Sequence, residues 1–187
     1  MAKFFGNLNA VLAVGVLLML AVLFGVQGMF DNNFFWRFLH VICGIMWIGH
    51  LYYFNFTQML TMPKVPAELK PGVSKYIAPA ALFWFRWGAA ATVATGLVVA
   101  IQAGYAHQAF TLQSPFRTIG IGMWLALIMA FNVWFVIWPA QKKALGLVEA
   151  DDATKAAAAT RAMIFSRTNT LLSIAMLYCM ISAESGY

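Results

Sequence analysis

The sequence predicts an all-α integral membrane helical bundle with five transmembrane helices, on three observations. Five apolar runs are each near the roughly 20 residues that cross a bilayer as a helix. The chain is 63% hydrophobic and 10% charged, with a mean hydropathy of +0.77, against about 25% charged residues in soluble domains. Prolines and polar clusters punctuate the runs. No stretch between them is long enough for a soluble core of its own, so residues 1–187 read as a single membrane domain. The net charge of +6 would suggest nucleic acid in a soluble protein. Here the basic residues sit mostly in short loops, where they set orientation, and no nucleic-acid partner is expected.

The expected spans are about 9–29, 34–59, 78–104, 116–138 and 163–182. The first is nearly uniform Val, Leu, Ala and Gly, with no small-residue cleavage site after it, and reads as a retained helix and not as a signal peptide. Pro63 and Pro66 close the second span and Pro139 the fourth, because proline lacks the N–H that a helix interior uses. The third carries Gly88, Thr92 and Gly96 at four-residue spacing, a small-residue ridge that predicts a closely packed helix pair. Residues 145–162, with Glu149, Asp151, Asp152, Lys155, Arg161 and four consecutive alanines, predict a short cytoplasmic surface helix or ordered loop. Lys3, Lys64, Lys70, Lys75, Lys142, Lys143, Lys155 and Arg161 fall on one side, and only Arg37 and Arg117 flank the other. That asymmetry predicts a cytoplasmic N-terminus and a periplasmic C-terminus.

Polar side chains at membrane depth are candidate functional groups, since they are costly in hydrocarbon. At about 1.5 Å per residue, His50, Arg86, Asn132, Arg167, Asn169 and Thr170 come to similar depths in the inner half. No span contains a carboxylate to neutralise Arg86, so an anionic partner is a candidate: a haem propionate, a lipid headgroup or an organic anion. Snorkelling to inner headgroups is the alternative, most of all for Arg167 near its helix end. His40 and His50 are ten residues apart, about 15 Å along one helix, so they cannot share an iron. His40 shares a face with Cys43, Gly44, Trp47 and Leu51, a small-plus-aromatic surface suited to a flat ring. It is either an axial ligand of haem b, the one metal-ligand candidate, or a histidine bonded to a neighbouring carbonyl. His50 is either a ligand-contacting or proton-accepting group, or a packed histidine with one satisfied bond.

Other chemistries find no support. Cys43 and Cys179 lack C-x-x-C or C-x-x-C-H spacing, so no covalent haem is expected. The 11 methionines are scattered along the chain and read as core filling. Neither paired carboxylates, nor a Ser-His-Asp arrangement, nor a phosphate loop is present, which argues against hydrolysis.

Four segments carry a family resemblance: HVICGIMWIGHLYYFNFTQ (40–58), ALFWFRWGAAATVATGL (81–97), MWLALIMAFNVWFVIWPAQK (123–142) and SRTNTLLSIAMLYCMIS (166–182). Together they resemble the membrane domain of the bacterial membrane-bound urate oxidase, or urate hydroxylase, family. His40, Trp47, Asn55, Arg86, Asn132, Trp138, Arg167 and Asn169 are the matching polar and aromatic positions. The sequence departs from the family pattern at Thr168, where a histidine is usual, and at His50, where an apolar or small residue is usual. The resemblance implies a multi-pass protein of the bacterial inner membrane, oxidation of urate, and electron transfer to a cytochrome c. With no C-x-x-C-H before Tyr187, a stand-alone form with a separate cytochrome c is expected.

Two functions follow. One is a membrane redox protein binding haem b or quinone, with His40, Trp47, His50, Arg86, Asn132, Arg167 and Asn169 as cofactor-binding candidates. The other is a non-catalytic accessory subunit of a larger respiratory or monooxygenase complex. A weaker third idea is a small-anion or proton pathway. The lipid bilayer is a partner in each, with self-association or other membrane subunits expected because five spans bury little interior.

Overall fold

The computed structural model describes residues 1–27 and 29–184. Among these, all regular structure is helical. Five helices are long and apolar enough to cross a membrane: α1 (Leu8–Val26), α2 (Asn32–Lys64), α3 (Lys70–Gln102), α4 (Arg117–Ala144) and α5 (Asp152–Ala183). Contacts divide the chain into two compact units, Met1–Phe35 and Trp36–Tyr187. In the first, the Asn7 side chain accepts from the Ala10 amide at 3.2 Å and caps α1. The Asp31 carboxylate accepts from the Asn33 and Phe34 amides, capping the start of α2.

The second unit holds the main core. Trp47, Leu51 and Phe54 of α2 meet Leu82, Phe85 and Ala89 of α3, Met129, Val133 and Ile137 of α4, and Met176 of α5. Phe54 and Phe85 pack edge to face with centroids 5.6 Å apart. The small-residue ridge of α3 faces α2, as its spacing predicts. A Cβ on Gly88 would lie 3.0 Å from the Trp47 backbone nitrogen, and one on Gly96 would lie 2.8 Å from His40 Cε1. At the far end of α3, the short helix Ala106–Phe110 leans on α4 so closely that a Cβ on Gly120 would strike the Ala109 carbonyl.

Proline does not stop these helices where the sequence suggests. Pro139 lies inside α4, and Pro79 lies inside α3. Each is the second residue after a π-helical segment, Asn132–Ile137 and Val73–Ile77 respectively. A proline in a regular helix clashes with the carbonyl four residues back, and the wider π turn ahead of it shifts that carbonyl away. α2 does end near its prolines: a 3₁₀ turn at Met62–Lys64 leads to an extended Val65, the conformation that Pro66 imposes on the residue before it.

The stretch 145–162 also differs from the surface segment expected. From Asp152 on it is continuous with the fifth span as one helix. The alanine run has high helix propensity, and Asp151 caps the start by accepting from the Thr154 amide at 2.8 Å and the Thr154 hydroxyl at 2.7 Å. Those bonds hold the Asp151 carboxyl below its ordinary range. Ala158 and Ala162 then pack against Ala140, which extends the contact between α4 and α5.

Candidate functional site

Three polar arrangements lie within the second unit. The first is a stripe on α5. Ser166, Asn169 and Ser173 are spaced three and four residues apart, which puts them on one helix face, and they are 3%, 0% and 0% exposed. Asn169 accepts from Asn132 Nδ2 at 2.9 Å and donates to the Met129 carbonyl at 2.9 Å. Ser166 Oγ accepts from Asn55 Nδ2 at 2.8 Å, and that amide also reaches the Leu51 carbonyl. Ser173 Oγ shares a 3.0 Å hydrogen bond with the Tyr52 hydroxyl and lies 2.7 Å from the Thr170 carbonyl. Leu51 and Met129 each stand just ahead of a π-helical segment, Tyr53–Gln58 and Asn132–Ile137. An asparagine amide serves the carbonyl there, where the backbone ladder changes register.

The second is centred on Arg86. Its guanidinium carbon lies 3.3 Å from the centre of the Trp138 ring, and Lys142 Nζ is 5.7 Å from the same ring. Trp134 Nε1 donates to the Arg86 carbonyl at 3.1 Å, fixing α3 against α4 at this level. Within that packing, Arg86 Nε and Nη1 are buried and have no acceptor. Trp47 Nε1, on a fully buried side chain, is likewise an unpartnered donor. No carboxylate lies in α2, α3 or α4. Stacking on an aromatic face is worth about 0.5–2 kcal/mol, whereas each buried polar group left unpaired costs about 1–3 kcal/mol and more when charged. The ring therefore does not offset what the two N–H groups lack. Both N–H groups are of a kind that an oxygen acceptor, anionic or carbonyl, could pair.

The third is His40. Its Nδ1 lies 2.9 Å from the Thr92 carbonyl and 3.3 Å from Thr95 Oγ1. Thr95 Oγ1 itself donates to the Ala91 carbonyl at 2.7 Å, so both neighbours are acceptors and Nδ1 carries the proton. The lone pair is then on Nε2, the arrangement that a histidine ligand uses. Gly96 makes room for the ring.

The sequence candidates sort accordingly. Asn132 and Asn169 are brought together, Arg86 meets Trp138, and Trp47 packs on Gly88. His50 shares their depth but bonds its own helix, Nδ1 to the Met46 carbonyl at 2.6 Å. Arg167 is exposed and lines a separate groove. His107, in the short helix Ala106–Phe110, is exposed. Among the described residues, no group of three or more His, Cys, Asp or Glu side chains could hold a metal ion. Sequence reasoning missed Ser166 and Ser173. Their spacing around Asn169 was the available signal, a polar face at helical period within an apolar run.

Comparison with known proteins returns one family. The model described as urate oxidase N-terminal matches residues 90–186, which covers the end of α3, all of α4 and α5, and so Asn132, Trp138 and Asn169. No curated protein and no solved structure matches the chain.

Proposed function

Since the chain belongs to the urate oxidase N-terminal family, we propose that this urate oxidase-related membrane protein is a redox protein whose bundle binds haem b or a quinone and passes electrons to a separate periplasmic cytochrome c. The observation that carries the reading is the Arg86 guanidinium, with two buried N–H groups lacking an acceptor on a tryptophan face. A quinone carbonyl or a haem propionate is an oxygen acceptor of the required kind. His40, whose Nδ1 is held by the Thr92 carbonyl, would offer its Nε2 lone pair to a haem iron. Haem or quinone, when bound, supplies one-electron chemistry. The residues of the chain would hold and orient it and exclude water, and Trp47 and Phe85 are 0% and 1% exposed in the core that adjoins Arg86. The placement that goes with this function is the bacterial inner membrane, with the N-terminus cytoplasmic and the C-terminus on the side of the cytochrome.

A spectrum and an organic extract of the protein purified from its own membranes in mild detergent test this. The expected result is either haem absorption in the reduced state that His40→Ala abolishes, or a bound quinone that Arg86→Met releases. Neither haem absorption nor extractable quinone would remove the proposal.

A second reading has its own support. His50 is engaged with its own backbone and His107 is exposed, so neither stands beside His40 as a second ligand. This favours a non-catalytic accessory subunit of a larger respiratory or monooxygenase complex, or a self-associated assembly that completes the site. Co-purification of a fixed set of membrane subunits is its expected result, and a protein that consistently runs alone contradicts it.

A further inference from the structure

A groove of about 520 Å³ opens where the end of α2 and the start of α3 meet the middle of α5. Its walls are Met59, Met62, Pro63 and Met163, and two cations, Lys70 and Arg167, stand on it with no acidic side chain among the lining residues. Gln58 also lines it, and its Oε1 is buried without a partner. Apolar walls with paired cations suit an amphiphilic anion. We propose that this groove binds an anionic phospholipid with a hydroxylated headgroup. The phosphodiester lies between Lys70 and Arg167, a headgroup hydroxyl donates to Gln58 Oε1, and an acyl chain runs along the methionines.

Depth supports a lipid over a soluble anion. α5 is about 48 Å long, well beyond a hydrocarbon core of about 30 Å, so one end projects from it. Arg167 lies about 22 Å along α5 from Asp152, which puts the groove near the boundary of the core, where phosphates and glycerol sit. Methionine walls are adaptable to a flexible chain. The site is separate from Arg86 and stands whether or not a redox cofactor is bound.

A second groove of about 250 Å³, carrying Lys143 and Arg161 between α4 and α5, provides an internal control with the same charge. The test is native mass spectrometry of the full chain in neutral detergent, titrated with dioleoylphosphatidylglycerol, dioleoylphosphatidylcholine or inorganic phosphate. Phosphatidylglycerol is expected to bind most tightly. Lys70→Gln with Arg167→Gln should weaken it about thirtyfold, from a factor of roughly five per cation near a lipid surface. The charge-keeping pair Lys70→Arg with Arg167→Lys should retain it, which separates lost charge from lost fold. Equal binding of the two lipids, displacement by inorganic phosphate at matched concentration, or an equal loss in Lys143→Gln with Arg161→Gln would each overturn the proposal.

Discussion

The α5 stripe and the Arg86 site are both polar regions within the same small bundle, yet they are finished differently. On the stripe, Asn169, Ser166 and Ser173 each hold partners on α2, α4 or α5 itself, and of the neutral groups joined there Asn55 Oδ1 is a buried atom without a partner. At Arg86, the ring and a backbone bond fix the helices while two donors of a charged group stay without acceptors. Interhelical hydrogen bonds between neutral groups are a common device for joining helices in lipid, where apolar packing alone drives little association. A half-buried cation with two buried donors left open is costly to keep, which is the reason to look for a group that binds there. Polarity at depth is thus not one signal: on the stripe neutral groups pair across helices with one acceptor left over, whereas at Arg86 two donors of a charged group have no acceptor.

That contrast can be broken by substitution. Asn169→Leu keeps the branched shape of the side chain but leaves Asn132 Nδ2 without its acceptor and removes one of the two N–H groups on the Met129 carbonyl, and should cost roughly 1–3 kcal/mol, read as a lower unfolding midpoint in detergent. Arg86→Met removes a charge without an acid partner while keeping the stem against Trp138, and should leave the ligand-free protein as stable as before or more so. If Arg86→Met were the more damaging of the two without ligand, the assignment of roles would be reversed. Ser166→Ala should have the smallest effect, about 0.6 kcal/mol, because Asn55 Nδ2 keeps the Leu51 carbonyl.

Much of this architecture could be read from the chain. The five spans follow from apolar length, and Gly88, Thr92 and Gly96 announced a close helix contact because a ridge of small residues has little other use in lipid. Depth placed Asn132 level with Asn169. Depth says nothing about the direction in which a side chain points, however, and so His50 could be placed level with Arg86 without the sequence revealing that it turns to Met46. The pairing of Arg86 with Trp138 joins different helices and depends on their mutual rotation, which periodicity within either one does not determine. Helix ends were misjudged at Pro139 and before Ala78 because a π-helical turn, which leaves no mark in composition, relieves the clash that proline otherwise causes. The family match begins only at residue 90 and so does not reach His40, Trp47 or Arg86.

The most direct measurement compares the unfolding midpoint of the protein as purified from native membranes with its midpoint after exhaustive detergent exchange, for the unmodified chain and for Arg86→Met. A ligand that completes the Arg86 site stabilises only the folded state. The unmodified chain should therefore lose stability on stripping while Arg86→Met does not respond. Equal responses of the two proteins would contradict the claim that Arg86 is held open for a ligand.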